Sequence, residues 1–227
     1  MNLLLVEGAD DRAAVREILT RHLQLSKVRS DIFTMPERAD AFRGQAVVLH
    51  VLVVDEGKTK LGQRLTEQIP TGRWTRIGLV FDPDHDDDVA CDRWFQRLLP
   101  PGPTTATPLG VRLDDSGIEV LALPWKLGAV FDQLEAGWHA LERVGLEILS
   151  RADPEEAKLV DEMLGVLRRE GRSAGWHEAF RLWHAVRAPK SGWVDKVFGQ
   201  DPGLRQKAVE TMAGSKFLDK LTCLTQP

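Results

Sequence analysis

Two acidic clusters in this chain of 227 residues hold the side chains from which a reactive centre is most readily built. The first is Glu7-Gly8-Ala9-Asp10-Asp11; the second is Asp82-Pro83-Asp84-His85-Asp86-Asp87-Asp88. Carboxylates crowded together repel one another unless cations neutralise them. Hard oxygen donors of this kind suit Mg²⁺ or Mn²⁺. Glu7 and Asp82 directly follow apolar runs and Asp84 lies two residues on, so the three end strands rather than open helices, which makes them metal ligands in this reading. Asp10, Asp87 and Asp88 stand where helices begin and are read as caps and dipole partners. His85 is read as a solvent-exposed loop residue.

Two clusters about 75 residues apart act together only if the fold joins them. Residues 3–6 are continuously apolar, the mark of a strand buried on both faces. Residues 47–54, 76–81 and 117–123 read as three more strands, and residues 11–24, 58–69 and 87–99 as the helices between them. Such alternation predicts an α/β domain over residues 1–125, a four-stranded parallel sheet with helices on both faces in Rossmann-like fashion. Both clusters then lie at carboxyl ends of strands, where such sheets open a shared crevice.

After Pro124 nearly everything reads as helix, so residues 126–227 are expected as a helical extension packed on that domain. One helix is expected over residues 130–149, from the spacing of Phe131, Leu134, Trp138 and Leu141. Asp153-Pro154-Glu155-Glu156 opens a second, which Gly171 stops. Ser173 is read as the cap of a third, carrying Trp176, Phe180 and Trp183. From Pro189 onward a loop, one or two short helices and a frayed tail are expected.

The stretch Leu4-Leu5-Val6-Glu7-Gly8-Ala9-Asp10-Asp11 resembles the first motif of Toprim domains, and Leu79-Val80-Phe81-Asp82-Pro83-Asp84 resembles their second. Toprim domains are the metal-binding modules of topoisomerases, bacterial primases, recombination-repair proteins and nucleases of the OLD (overcoming lysogenization defect) type. The resemblance covers residues 1–125, and Val6-Glu7-Gly8-x-Asp10-Asp11 is most like the OLD-type and small stand-alone versions. It implies a phosphodiester hydrolase acting on nucleic acid with Mg²⁺ or Mn²⁺. Two divalent ions about 4 Å apart can activate water, relieve charge on the phosphorane and assist the leaving oxygen. In that scheme Glu7 bridges the ions or serves as base, and Asp82 and Asp84 hold metal. Asp11 completes the first site by analogy with the OLD-type pattern, and Asp86 is a spare ligand. OLD-type domains also place a late lysine near the metals. Lys190 matches it best here, with Lys126 as rival.

Absences narrow the family. With no tyrosine the chain is not a topoisomerase by itself, and with two cysteines, Cys91 and Cys223, it has no zinc module of the primase or recombination-repair kind. Gly57-Lys58-Thr59 resembles the end of a nucleotide-binding loop, but Leu52 stands where that loop requires glycine. It is read as a turn opening a helix, so any ATPase is a separate partner. The Asp82-x-Asp84-x-Asp86 triplet is not a calcium loop, since Asp87 and Arg93 replace its glycine and glutamate. The triplet also resembles the first motif of haloacid-dehalogenase-type phosphatases, a less favoured reading.

No run approaches the roughly 20 apolar residues of a membrane span, and no basic leader precedes an apolar stretch. A cytoplasmic protein with no membrane partner is expected, and unpaired thiols agree with this. A net charge of −4 argues against tight, sequence-independent grip on a duplex. It leaves a second expectation: a non-catalytic module that binds metal or nucleic acid on behalf of another protein.

Overall fold

The structure is a computed structural model describing residues 1–28, 40–43, 47–54, 57–83, 88–126, 141–172, 175–187 and 193–226. These divide into two compact units. One comprises Met1–Asp82, Asp87–Trp125 and Gly214–Pro227; the other comprises Pro83–Asp86 and Lys126–Ala213.

The first unit is built on one sheet. Its strands are β1 (Asn2–Val6), β2 (Ser26–Val28), β3 (Asp40–Arg43), β4 (Val48–Val53), β5 (Arg76–Phe81), β6 (Thr104–Ala106), β7 (Val111–Leu113) and β8 (Glu119–Pro124). They lie in the order β2-β3-β4-β1-β5-β8-β7-β6. This corrects the expected four-stranded parallel sheet. Among the described residues the sheet has eight strands and is mixed, with four antiparallel pairings and three parallel ones. The inner strands β4, β1, β5 and β8 run parallel. The antiparallel pairs β2–β3 and β6–β7 flank them on the two sides. Strands of three or four residues with exposed polar faces, such as Thr104-Thr105-Ala106, leave no periodic signal. Their brevity also blunts the edges against pairing with other chains.

Leu3, Leu4, Leu5 and Val6 have no exposed surface, as a strand covered on both faces requires. On one face Leu3, Leu5, Ile77, Leu79, Phe81 and Val120 join a core with Leu61, Leu65 and Phe95. Those partners come from α2 (Lys58–Gln68) and α3 (Asp88–Leu98). α1 (Ala9–Glu17) starts two residues earlier than expected and passes into a π-helical turn over Ile18–His22.

The opposite face of β5 and β8 is closed by a helix read from sequence only as part of a tail, Lys216–Leu224. Its Phe217, Leu218, Leu221 and Leu224 are buried, and Ser215 caps it by accepting from the Leu218 amide. Gly78 is the close approach: a Cβ there would lie 2.6 Å from the Leu224 and Leu4 methyls and 3.0 Å from that of Leu123. Asn2 clasps the same helix to the sheet, donating from Nδ2 to the Leu224 carbonyl at 2.8 Å and accepting from the Arg76 amide at 3.1 Å.

The second unit is helical. It contains α4 (Leu141–Ala152), α5 (Pro154–Arg169), α6 (Trp176–Arg187), α7 (Trp193–Asp195), which continues as a π-helical turn over Lys196–Gln200, and α8 (Pro202–Met212). The helix Lys216–Leu224 of the first unit is α9. Asp153 caps α5 by accepting from the Glu156 amide, and Pro154 opens its first turn, as the sequence indicates. Of the helix expected over residues 130–149, residues 130–140 lie outside the described residues, as does the cap expected at Ser173. Gly145 lets Trp193 lie against α4, where a Cβ would come within 2.7 Å of the indole. Phe180 meets both Trp183 and Trp193 edge-on. Among the described residues no helix is long and apolar enough to cross a membrane.

Candidate metal centre

Parallel pairing sets where the inner strands end. Val6 stands level with Val53 and Val80 in the ladder, and Phe81 with Pro124. The loops after β1, β4, β5 and β8 therefore leave the same margin of the sheet, its carboxyl edge. The Glu7 amide donates to the Val80 carbonyl at 3.2 Å, the Val54 amide to Val6 at 2.9 Å and the Trp125 amide to Phe81 at 3.0 Å. This ladder carries each loop's first residue in fixed backbone geometry.

Glu7 and Asp82 meet there. Glu7 Oε2 accepts from the Asp82 amide at 3.2 Å, so the first residue after β1 touches the first residue after β5. Gly57 opens α2 from the neighbouring loop with φ of +73°, a conformation that favours glycine. A Cβ on Gly57 would sit 3.8 Å from Glu7 Oε1. The Gly57 backbone thus passes close beside that carboxylate.

Asp11 is held differently. Its Oδ2 accepts from the Gly8 amide at 2.9 Å, tying the first turn of α1 to its cap residue. Its Oδ1 accepts from the indole Nε1 of Trp125. Asp11 and Trp125 are both buried. Trp125 in turn stacks on Phe217 of α9, with centroids 4.2 Å apart and planes at 21°. Both oxygens of Asp11 thus fasten the loop that carries Glu7. Asp10, beside it, is exposed in the first turn of α1, whose cap residue is Gly8.

The other sequence-derived candidates, Asp84, His85, Asp86, Asp87 and Lys190, lie outside the described residues. Lys126 is described and half-buried in the second unit. Among the described residues no group of three or more His, Cys, Asp or Glu side chains is gathered as a cation site. Two hard carboxylates at one strand margin still fit a Mg²⁺- or Mn²⁺-type ion. Mg²⁺ is commonly bound through one or two carboxylates, with water and substrate phosphate filling the other positions.

Two groups in this unit escaped the sequence reading. His50, on β4, is buried edge-on against Trp74, and among the described residues neither ring nitrogen has a hydrogen-bond partner. Burial, and then the positive charge of the amino group at residue 1, push its pKa below the ordinary value. Lys220 reaches from α9 to donate to the Ala122 carbonyl at 2.8 Å. Burial lowers its pKa, and the nearby Asp92 opposes that shift. It lines a cleft of about 550 Å³ together with Phe95, Thr107, Leu109 and Lys216. Only the packing of α9 distinguishes Lys220 from the other lysines near it in sequence.

No protein-family model matches the chain, and no curated protein matches it. Among solved structures, a crystal structure of a hypothetical protein from Pyrococcus horikoshii OT3 superposes with a TM-score of 0.74 at 15% identity, over 99% of both chains. The likeness shows a shared fold.

Proposed function

We propose that this protein is a divalent-metal-dependent phosphodiester hydrolase acting on nucleic acid, with Glu7 and Asp82 at its centre. The observation that carries the reading is the contact of Glu7 Oε2 with the Asp82 amide where two adjacent parallel strands end. The resemblance of both segments to the Toprim motifs, in the OLD-type arrangement, supports it. Glu7 and Asp82 would hold the ion, with Asp84 and Asp86 following on the same loop. A Mg²⁺ or Mn²⁺ bound there supplies an acidified water and charge relief for the scissile phosphate. The amide of Asp82 donates to Glu7 Oε2, and Oε1 lies on the Gly57 side. Lys190 is the proposed charge partner of the phosphate. Free thiols at Cys91 and Cys223 accord with a cytoplasmic setting.

One observation favours a second reading. Asp11 is committed to Gly8 and Trp125, which thins the ligand set of a two-ion centre. A centre with fewer carboxylates suits a module that binds one ion, or a nucleic acid through it, for a separate ATPase or other protein.

Calorimetry with Mn²⁺ and cleavage assays on single- and double-stranded DNA and RNA decide between the two. The hydrolase reading expects Mn²⁺ binding that Asp82→Ala removes. It also expects cleavage that Glu7→Gln reduces by at least about 100-fold with the fold intact, the loss typical of a general base. Protein that binds Mn²⁺ and cuts none of these substrates would leave the binding module standing. Cleavage surviving Glu7→Gln would refute this site.

A further inference from the structure

Beyond Val111, β7 parts from β8. Their pairing ends where Val111 meets Val120, while β8 runs on to Pro124. Among the described residues no strand covers the outer edge of β8 at Ala122. Lys220 takes the strand's place there by donating to the Ala122 carbonyl. The gap opens into the cleft of about 550 Å³, a size suited to a small molecule. Its walls come from α3, α9 and the segment joining β6 to β7.

Four charged side chains line this cleft. Lys216, Asp219 and Lys220 stand three and four residues apart on one face of α9, and Asp92 comes from α3. Lys220 is drawn furthest from water, and that burial lowers its pKa. Its ammonium meets a neutral carbonyl and, among the described residues, no carboxylate within ion-pair distance. A charge taken from water without a counter-ion is costly, and an anion entering the cleft would offset that cost. Lys216, one turn away, opposes the charge on Lys220 and would be relieved by the same anion. Asp92 favours that charge only at longer range. Asp92 and Asp219 are both exposed, and neither side chain forms a hydrogen bond or ion pair among the described residues. They stand ready for a cationic group on the water side. Phe95 and Leu109 add apolar surface.

We propose that this cleft binds an α-amino acid with an apolar side chain, its carboxylate on Lys220 and Lys216 and its ammonium toward Asp92 and Asp219. The side chain lies against Phe95 and Leu109. The inference is independent of the hydrolase reading. An anion alone would face two unpaired aspartates, and a cation alone would leave Lys220 without a counter-ion. A zwitterion answers both.

Calorimetry of the full chain with L-leucine, L-methionine, L-phenylalanine and L-tryptophan tests this. At least one should bind with a dissociation constant on the order of 100 µM. Removing its ammonium or its carboxylate, as 3-phenylpropionate and phenethylamine do for L-phenylalanine, should weaken binding at least about 10-fold. Glycine, which keeps both charges and lacks the side chain, should also bind at least about 10-fold more weakly. Lys216→Ala and Asp92→Ala should each weaken binding about 5- to 20-fold. Both residues are exposed, so circular dichroism and Tm should stay near those of the parent chain. Lys220→Met should abolish binding; because Lys220 also holds α9 to β8, the two exposed variants carry the decision. Absence of binding by all four amino acids at about 5 mM overturns the proposal. So does an analogue with one charge that binds as tightly as the amino acid, or binding indifferent to Lys216→Ala or to Asp92→Ala.

Discussion

The clasp at Asp11 separates a structural carboxylate from a metal ligand. Asp11→Ala removes two charge-assisted hydrogen bonds, one from the Gly8 amide and one from the Trp125 indole, and leaves the buried indole N–H without a partner. Hydrogen bonds to charged groups contribute about 1.5–3 kcal/mol each, so a loss of about 3–5 kcal/mol is expected. Asp11→Asn keeps one acceptor but turns an NH₂ toward one of the two donors, and should cost about half as much. Trp125→Phe preserves the stack on Phe217 and removes the donor, for about 2 kcal/mol including lost volume. Because Asp11→Ala and Trp125→Phe delete the same bond, the double variant should fall short of additivity by about 1.5–2 kcal/mol. Urea unfolding of the parent chain and the four variants measures these differences, and Mn²⁺ calorimetry runs beside it. The reasoning is refuted if Asp11→Ala costs less than about 1 kcal/mol and abolishes Mn²⁺ binding, since the carboxylate would then be a ligand with dispensable hydrogen bonds.

Two further outcomes follow from the sheet unit. Burial depresses the pKa of His50, so the folded chain takes up its proton at lower pH than the unfolded chain, which protonates it below about pH 6.5. Stability linked to it is therefore complete above that pH and falls as pH drops, by up to about 1.4 kcal/mol per unit. His50→Leu should flatten that slope, raising Tm more near pH 5.5 than near pH 8; equal shifts at both would mean the ring is not desolvated. Gly78→Ala should cost about 1–3 kcal/mol by forcing the Leu4, Leu123 and Leu224 methyls apart. An unchanged Tm would show that α9 does not lie so close to β5.

What could be read from sequence was what is regular in the fold. Residues 3–6 could be placed as a buried strand because a strand covered on both faces tolerates no polar position. The opening of α5 at Asp153-Pro154 was legible because a cap and a first-turn proline act locally. β2, β3, β6 and β7 were not, since three or four residues half open to water have no periodicity. α9 did carry its signal: Ser215 before apolar residues at 217, 218, 221 and 224. Sequence alone gave that stretch only as one of one or two short helices before a frayed tail, with nothing to show that it packs on the sheet. At the candidate centre, the meeting of Glu7 and Asp82 followed from their places at the carboxyl ends of parallel strands. The hydrogen bond from Trp125 to Asp11 did not, because the two are 114 residues apart and no local pattern announces it.

The clasp of Asn2 on Leu224 spans 222 positions of the chain and bears on how the protein is made. β1 sits inside the sheet, yet the helix that helps cover it follows more than 200 residues later. At about 5–20 residues per second, a ribosome needs roughly ten to forty seconds to connect the two. Throughout that interval Leu4, and from its midpoint Leu123, lack the cover that α9 provides, and contacts of such long separation slow folding. During synthesis this face of the sheet is therefore the natural place for a chaperone to act, and for aggregation to begin if none does.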